Sequence, residues 1–314
     1  MAIIVPHLAI ELTQRCNLNC AHCYKGDSKN VDISKEIVDR IFDEVKYVGM
    51  LDLSGGEVFL AYEELKMVLE KAKEKDCIIQ NCSMIINGTI YDERIYKLLD
   101  EYFSGEKTYR VAISKDKYHK ASIDQIYKYN EKKSNNPGLC PVSIDDVISN
   151  FNKHICRPSF IRFEKLSKHL INNGRAINLD EPSKTFEAEG YFYSYDPDRD
   201  PNHEVLWVGP TIFISADGWV SDINSEIERR EEQSLGNIKE QSIKELVEQG
   251  GIKVPINSVQ EFFLWAMRRE RDFVTHQGPH LTFKYGKMAL MKMSYDPKGS
   301  SKPVINDTTD EERN

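Results

Sequence analysis

Strand-like and helix-like segments alternate over the first 114 residues, and this alternation restricts the fold more than any other feature of the sequence. Apolar segments with strand character lie at residues 8–12, 50–53, 77–86 and 109–114, and amphipathic helical spacing lies at residues 34–45, 62–75, 91–103 and 123–131. Strands that alternate with helices of this length are typical of βα units around a mostly parallel sheet. The sequence therefore predicts an α/β fold.

A change in composition near Asp180 marks the expected end of the βα region. Beyond it, two apolar segments flank Asp217-Gly218, a dipeptide typical of hairpin turns, and a helical pattern follows at residues 242–249. Residues 302–314 are polar and charged, which favours a frayed tail. We therefore expect a βα domain over residues 1–180, a small α+β module over residues 181–250, and a C-terminal extension over residues 251–314 that ends in a disordered acidic tail.

Charge and hydropathy exclude two classes of partner. The chain has 42 Lys and Arg residues against 50 Asp and Glu residues, a net charge of −8, so it has no global electrostatic support for binding nucleic acid. No segment approaches the roughly 18 consecutive apolar residues of a membrane span, and no export signal is visible. We expect a cytoplasmic protein that binds neither nucleic acid nor a membrane.

Three of the seven cysteines, Cys16, Cys20 and Cys23, lie on one loop directly after the first predicted strand, with the spacing C-x3-C-x2-C. An odd cysteine count in a reducing compartment favours thiol or metal chemistry over disulfides. Three thiolates can hold three irons of a cubane cluster and leave the fourth iron open. The alternative is a zinc knot with His22 as the fourth ligand, but His22 and Cys23 are adjacent, so joint ligation requires a strained loop.

Residues 11–24 resemble the radical SAM superfamily, whose C-x3-C-x-aromatic-C loop follows the first strand of a partial (β/α)6 TIM-like barrel; His22 fills the aromatic position. The resemblance implies this fold and one 4Fe-4S cluster held by Cys16, Cys20 and Cys23. It also implies that the amino and carboxylate groups of S-adenosylmethionine chelate the fourth iron. One-electron reduction, from a donor such as flavodoxin or ferredoxin, then cleaves that cofactor to methionine and a 5′-deoxyadenosyl radical.

Three further segments, each at the end of a predicted strand, resemble motifs of the same superfamily in the same order. Residues 53–57 resemble its Gly-Gly-Glu motif, residues 86–89 its Thr-Asn-Gly-Thr segment, and residues 111–116 its Ile-Ser-x-Asp segment. Two glycines let a ligand approach the backbone, and a carboxylate accepts hydrogen bonds from an ammonium group. The resemblance implies that these residues contact S-adenosylmethionine: Ser54, Gly55, Gly56, Glu57, Asn87, Ser114 and Asp116. Residues 174–176 resemble a Gly-Arg-Ala segment found late in many such barrels.

Residues 205–246 resemble the C-terminal module, named SPASM or in its shortened form twitch, of many peptide-modifying radical SAM enzymes. In that module, cysteines around the hairpin bind an auxiliary cluster. Here Ser221 and Asp222 follow the hairpin and no cysteine lies after Cys156, so we expect one cluster only. We expect the module to cover the open side of the barrel and to shape the substrate pocket; the alternative is an αβ extension that only stabilises the barrel.

The resemblance favours a peptide or protein substrate, as in maturases that crosslink or epimerise ribosomally made peptides. The candidate catalytic residues are His119, Cys140 and Cys156. A thiol near the barrel mouth could return a hydrogen atom to a substrate radical, and His119 could donate a hydrogen bond or a proton near the substrate, although the sequence favours a surface-loop position for His119. Because the cysteine loop begins at residue 16, we expect no N-terminal peptide-recognition domain. Two alternatives stay open: a radical SAM enzyme acting on a small molecule such as a sugar, nucleoside or cofactor precursor, and a non-catalytic zinc or iron-sulfur binding module.

Overall fold

The structure is a computed structural model that describes most of the N-terminal region and parts of the rest of the chain. The described residues are 2–90, 92–104, 107–114, 117–119, 162–164, 170–171, 174–180, 183–184, 192–195, 205–209, 211–221, 227–253, 292–294 and 304–306. The helix expected at residues 123–131 lies outside these residues.

Four strands and three helices alternate in the N-terminal region. In chain order they are β1 (Ala2–Thr13), α1 (Lys35–Glu44), β2 (Val45–Gly55), α2 (Tyr62–Glu74), β3 (Ile78–Ile86), α3 (Glu93–Tyr102) and β4 (Thr108–Ser114). Single 3-10 turns lie at Val58–Leu60, Gly174–Asn178 and Ile227–Arg229. None of the helices in the described segments combines the length and the apolarity needed to cross a membrane.

Shorter elements make up the rest of the described chain. They are β5 (Arg162–Glu164), β6 (Leu170–Ile171), β7 (Ser183–Lys184), β8 (Phe192–Tyr195), β9 (Val205–Gly209), β10 (Thr211–Ile214), β11 (Trp219–Ser221), α4 (Arg230–Gln233), β12 (Gly236–Asn237), α5 (Ile243–Gly250), β13 (Ile252–Lys253), β14 (Lys292–Ser294) and β15 (Val304–Asn306).

Side-chain caps fix where the helices begin. The Ser34 hydroxyl accepts a hydrogen bond from the backbone N–H of Ile37 at the start of α1, and the Asp92 carboxylate accepts one from Arg94 at the start of α3. Ser242 and Glu245 form a reciprocal capping box at α5. Each cap satisfies backbone donors that have no partner inside the helix, which explains why these helices begin where the sequence predicts.

The strands form one open, mostly parallel sheet. Strands β1 to β5 follow one another across it, each parallel to the next, and β10 lies on the other side of β1, also parallel. Strands β11 and β12 continue antiparallel from β10, so β10 and β11 form the expected hairpin. The ends of the sheet do not meet among the described strands. The predicted α/β fold with a parallel sheet is therefore confirmed.

The two faces of the sheet differ in polarity. Alternate residues such as Leu8, Leu51 and Met84 belong to the apolar core that includes α1, α2 and α3. The residues between them, including Glu11 and Ser54, face the other side of the sheet. Because the strands are parallel, the loops that follow β1, β2, β3 and β4 emerge at one edge. All four sequence motifs therefore lie at that edge.

Part of the expected C-terminal module continues this same sheet. Val205–Gly209 pairs with the first half of β1, and Thr211–Ile214 pairs with the second half. The division into domains at residues 180 and 250 stays a prediction. Val304–Asn306 form a two-stranded antiparallel ladder with Lys292–Ser294. The disordered acidic tail stays a prediction.

Candidate functional site

The loop that carries the three cysteines follows β1 and is held by its own backbone hydrogen bonds. The Cys23 N–H donates to the Cys20 carbonyl (3.1 Å), and the Gly26 N–H donates to the Cys23 carbonyl (3.2 Å). Cys20 is buried, whereas Cys16 and Cys23 are partly exposed, and none of the three forms a disulfide within the described residues. Three thiols on one loop are a donor set that fits an iron-sulfur cluster.

The Cys16 thiol needs a metal ion to lose its proton. Burial raises the pKa of Cys16 to about 11, while a hydrogen bond from the Leu18 N–H to its sulfur (3.4 Å) acts in the opposite direction. At neutral pH the thiol is therefore protonated in the metal-free protein. Metal binding at this position must release that proton, since thiolate sulfur is the ligand form.

The turn after β2 lies directly against the cysteine loop. The Gly56 N–H donates to the Thr13 carbonyl (2.8 Å), and the Glu57 N–H donates to the Arg15 carbonyl (2.8 Å). A Cβ atom at Gly56 would lie 2.3 Å from the Arg15 carbonyl oxygen and 2.9 Å from the Cys16 Cβ. Only glycine fits here, so the Gly-Gly sequence first serves the contact between the two loops.

Glu57 is buried and binds two backbone donors. Its carboxylate accepts hydrogen bonds from the N–H groups of Phe59 (3.0 Å) and Asn87 (2.7 Å), which ties the end of β3 to the turn after β2. Burial raises the pKa of Glu57 to about 7, and the two N–H donors limit that rise. The sequence predicts Glu57 as a cofactor contact; this stays a prediction, and the structure adds a positioning role.

The Asn87 side chain also connects two loops. Its Nδ2 donates to Asn17 Oδ1 (2.8 Å), and its Oδ1 accepts from the backbone N–H (3.0 Å) and the hydroxyl (2.6 Å) of Thr89. Asn17 in turn donates to the Thr89 hydroxyl (2.7 Å). The segment after β3 is thereby fixed to the residue that follows Cys16. Asn17 was not among the predicted site residues.

Ser54 belongs to a buried charged network that the sequence analysis missed. Lys25 Nζ donates to the Ser54 hydroxyl (2.9 Å) and to the Glu11 carboxylate (3.0 Å). Arg230 Nη1 and Nη2 each donate to one oxygen of Glu11 at 2.6 Å, and the Ala216 N–H donates to the same carboxylate (3.1 Å). The network joins β1, the cysteine loop, the turn after β2 and the C-terminal region.

Opposite charges keep Glu11 ionised inside the protein. Burial alone raises the pKa of this carboxyl, but the positive charges of Lys25 and Arg230 hold the pKa below its usual range. Burial lowers the pKa of Lys25, and the negative charge of Glu11 opposes this effect. One sequence signal could have found the network: Glu11 is a charged residue inside the otherwise apolar segment of residues 8–12.

The Gly-Arg-Ala segment covers the cysteine loop from outside. The Arg175 backbone N–H donates to the Cys23 carbonyl (2.9 Å), and its Nε donates to the Cys20 carbonyl (2.9 Å). Gly174 has a positive φ of 56°, and a Cβ there would lie 2.5 Å from the carbonyl oxygens of Cys23 and Tyr24. This segment therefore satisfies carbonyl groups of the loop that holds the thiols.

A row of polar side chains crosses the same face of the sheet as Glu11, nearer the beginning of the strands. His7 Nε2 donates to Asp52 Oδ2 (2.8 Å), and His7 Nδ1 lies 3.1 Å from the Thr211 hydroxyl. Burial alone raises the pKa of Asp52, but the His7 charge and hydrogen bonds from His7 and Ser83 hold it below its usual range. Polar side chains therefore lie on this face below the predicted cofactor contacts.

Two of the remaining predicted site residues lie within the described part of the chain, and three lie outside it. Ser114 ends β4 at the edge that carries the motifs, and the ring of His119 lies 5.0 Å from that of His22 on the cysteine loop. Asp116, Cys140 and Cys156 lie outside the described residues. Cys77 and Cys82, which are not candidate site residues, are both buried.

Comparison with known proteins gives one family match and several partial matches. The Radical SAM superfamily matches residues 10–133. The subtilosin biosynthesis protein AlbA of Bacillus subtilis is 34% identical over 107 residues, which are 31% of this chain and 21% of AlbA. A probable GTP 3′,8-cyclase of Methanococcus aeolicus is 26% identical over 152 residues, 46% of this chain and 50% of that protein.

A solved structure of anSMEcpe with bound AdoMet and the Cp18Cys peptide aligns with 79% of this chain and 80% of that chain, at 16% identity and a TM-score of 0.36. This chain matches half or less of the length of AlbA and of the probable GTP 3′,8-cyclase. The family match begins inside β1 and includes the cysteine loop and the segments after β2, β3 and β4. Over residues 10–133, this chain is therefore similar to the Radical SAM superfamily.

Proposed function

We propose that this protein is an enzyme that cleaves S-adenosylmethionine reductively and abstracts a hydrogen atom from its substrate. The observation that carries the proposal is the contact between the loop of three cysteines and the Gly55-Gly56 turn, at the edge where parallel strands end. Radical SAM enzymes use a 4Fe-4S cluster and S-adenosylmethionine, which together supply a 5′-deoxyadenosyl radical.

In this proposal, the cysteine loop holds the cluster. Cys16, Cys20 and Cys23 are its ligands, and the hydrogen bonds from Arg175 to two carbonyl groups of the loop keep the thiols in place. The buried Lys25 fixes the end of the loop to Glu11 and Ser54. These contacts support a preorganised loop, which is what a site for a labile cluster requires.

The loops after β2, β3 and β4 hold S-adenosylmethionine. The proposed contacts are Ser54, Gly55, Gly56, Glu57, Asn87, Ser114 and Asp116. Glycines at the turn leave the backbone accessible to the methionine end of the cofactor. Burial raises the pKa of Glu57 to about 7 in the cofactor-free protein. An ammonium group bound beside Glu57 would lower this pKa and favour the ionised carboxylate.

We further propose a peptide or protein substrate. The AlbA relative, which is named for biosynthesis of the bacteriocin subtilosin, supports this choice. The GTP 3′,8-cyclase relative favours a second candidate function, namely modification of a small molecule such as a nucleotide. His119, Cys140 and Cys156 stay candidate catalytic residues in either case, and a cytoplasmic reductant such as flavodoxin or ferredoxin is the proposed electron donor.

The test is anaerobic reconstitution with iron and sulfide, followed by dithionite and S-adenosylmethionine, with 5′-deoxyadenosine as the measured product. Wild-type protein should form it, and the single variants Cys16→Ala, Cys20→Ala and Cys23→Ala should not. Cys77→Ala is the matched control, because Cys77 is buried away from the loop in the apolar core. A metal-containing wild-type protein that leaves the cofactor intact would overturn the proposal in favour of a binding module.

The substrate proposal needs a separate measurement. Short peptides encoded beside the gene and a set of nucleotides should be compared for their effect on cofactor cleavage by the reconstituted protein. A mass change in a peptide that depends on S-adenosylmethionine would support the peptide substrate. A mass change confined to a nucleotide would establish the second candidate instead.

A further inference from the structure

Three side chains that could bind a metal ion lie close together at the cysteine loop, and they are not the three cysteines proposed as cluster ligands. One ligand atom from each of Cys20, His22 and His119 lies within 4.8 Å of the other two. Cys20 is buried, and the two histidines are partly exposed. Two of these residues come from the cysteine loop and the third from the segment after β4, so the fold brings together residues about 100 positions apart.

Aromatic packing holds both imidazole rings at this position. The His22 ring stacks on Tyr118 with 4.6 Å between ring centroids, and the His119 ring meets His22 edge to face at 5.0 Å. Rings packed in this way lose little further side-chain entropy when they bind an ion. The arrangement is therefore a preorganised set of one sulfur and two nitrogen donors.

We propose that Cys20, His22 and His119 bind a zinc ion in the protein that lacks its cluster. One thiolate and two imidazoles are donors that zinc prefers, and three protein ligands with an open fourth position are typical of exchangeable or catalytic zinc sites. Ligand atoms around tetrahedral zinc lie on the order of 3.5 Å apart, given bonds of about 2.0 to 2.3 Å. The three ligand atoms, now within 4.8 Å of one another, have to move closer together to reach this geometry.

This ligand set differs from a zinc knot built from the three cysteines and His22. That knot requires adjacent residues, His22 and Cys23, to bind one ion. In the proposed site, Cys23 is not a ligand, and its carbonyl keeps the hydrogen bonds from Gly26 and Arg175. His119 supplies the third ligand from another part of the fold.

Zinc at this site and the iron-sulfur cluster exclude each other, because both require the Cys20 thiolate. This consequence rests on the proposed function, whereas zinc binding does not. An apoprotein that meets zinc first would have its cysteine loop joined to the segment after β4 through His119. Cluster assembly would then require prior loss of zinc, so the two metals compete for one protein.

The test uses Co²⁺ as a spectroscopic substitute for zinc in the full-length, chelator-treated protein under anaerobic conditions. Wild-type protein should bind one Co²⁺ with a thiolate-to-cobalt absorption band and the ligand-field bands of a tetrahedral ion, and Zn²⁺ should remove both. Cys20→Ala and His119→Ala should weaken binding by at least about tenfold. Cys16→Ala and Cys23→Ala are the matched controls and should retain the spectrum.

Two results would overturn the proposal. One is a spectrum that His119→Ala leaves unchanged while Cys16→Ala or Cys23→Ala abolishes it, since the cysteines then form the site without His119. The other is no tetrahedral spectrum in wild-type protein. If His119→Ala fails to fold, His119→Asp keeps a ligand at this position and should retain a Co²⁺ spectrum with altered ligand-field bands; an unaltered spectrum counts against a bond to residue 119.

A second experiment separates this proposal from the proposed function. Stoichiometric Zn²⁺ added before iron and sulfide should lower the cluster content of wild-type protein several-fold and that of His119→Ala much less. Equal sensitivity of the two proteins contradicts the competition. If the cobalt spectrum depends on Cys20 and His119 but no 5′-deoxyadenosine ever forms, the zinc site stands and the proposed enzyme activity fails.

Discussion

Arg230 and Glu11 form a two-pronged ion pair inside the protein, with both hydrogen bonds 2.6 Å long. Glu11 is 0% exposed and Arg230 is 1% exposed, so solvent does not screen their charges. The pair spans 219 residues of sequence and joins the strand that precedes the cysteine loop to the first residue of α4. The C-terminal region is therefore part of the structure that supports the cysteine loop.

Replacing Arg230 should destabilise the fold strongly. Arg230→Met leaves the Glu11 carboxylate buried with Lys25 as its remaining cation, and the loss of one partner from a buried ion pair costs about 3 to 5 kcal/mol. Urea denaturation measures the change in the free energy of unfolding. Arg229→Met is the matched control, because the neighbouring Arg229 is 52% exposed and should change stability by less than about 0.5 kcal/mol. Equal effects of the two substitutions would contradict a special role of the pair.

Stability that depends on Glu11 should disappear in acid. The pKa of this carboxyl is lower in the folded protein than in the unfolded chain, so its contribution is present above the unfolded value of 4.5 and is lost as the pH falls through the folded value. Glu11→Gln should remove this contribution. The measurement is the difference in unfolding free energy between wild type and variant from pH 7 down to pH 3; a difference that is constant with pH would contradict the assignment.

Glu57 should show the opposite pH dependence. Its pKa is raised from 4.5 to about 7 on folding, so the folded state binds more protons than the unfolded state between these values. The Glu57 contribution to stability therefore falls between about pH 4.5 and 7 and is constant above, with a total change of up to about 3 kcal/mol. Glu57→Gln should remove that slope in the cluster-free protein, although it costs stability overall because an amide cannot accept from both Phe59 and Asn87.

The strands and helices of the N-terminal region could be predicted because their hydrophobic periodicities are regular, but the boundaries of β1 and β2 could not. β1 begins at Ala2, although Pro6 suggests a break in the strand. The neighbouring residue on β2 is Gly49, and its lack of a side chain lets the two strands approach at Pro6, because a Cβ at Gly49 would lie 2.7 Å from the Pro6 carbonyl oxygen. β2 begins at Val45, a residue whose apolar side chain suits the end of a helix and the start of a strand equally. Tertiary contacts decide between such alternatives.

The candidate site was predictable where short motifs carry it and hidden where it depends on long-range contacts. The cysteine spacing and the Gly55-Gly56 turn could be identified because their residues are close in sequence. The pairing of Glu11 with Arg230 could not, because no local pattern links positions so far apart. The meeting of His22 with His119 is hidden in the same way, since it depends on how the loops after β1 and β4 converge.

Gly56→Ala should disturb the cysteine loop more than a typical glycine substitution. The added Cβ would lie 2.3 Å from the Arg15 carbonyl oxygen, a backbone atom that cannot move without shifting Cys16. We expect a loss of about 1 to 3 kcal/mol in unfolding free energy and a lower iron content after reconstitution. Gly250→Ala is the control, because its Cβ would meet only the flexible end of the Leu235 side chain. Full iron content in Gly56→Ala would contradict the close contact.

If the protein has the proposed function, Arg175 should control how firmly it retains a reconstituted cluster. The guanidinium donates to the Cys20 carbonyl, and Asp27 orients it from the other side at 2.7 Å. Arg175→Lys keeps the positive charge but loses the fixed geometry of the fork, so it separates charge from positioning. The measurement is the rate at which a chelator removes the cluster after reconstitution. We expect this rate to be several-fold higher in Arg175→Lys and in Arg175→Ala than in wild type. Arg94→Ala is the control and should match wild type, because Arg94 lies exposed at the start of a helix. If Arg175→Lys retains the cluster as wild type does, charge and not hydrogen-bond geometry is what Arg175 contributes.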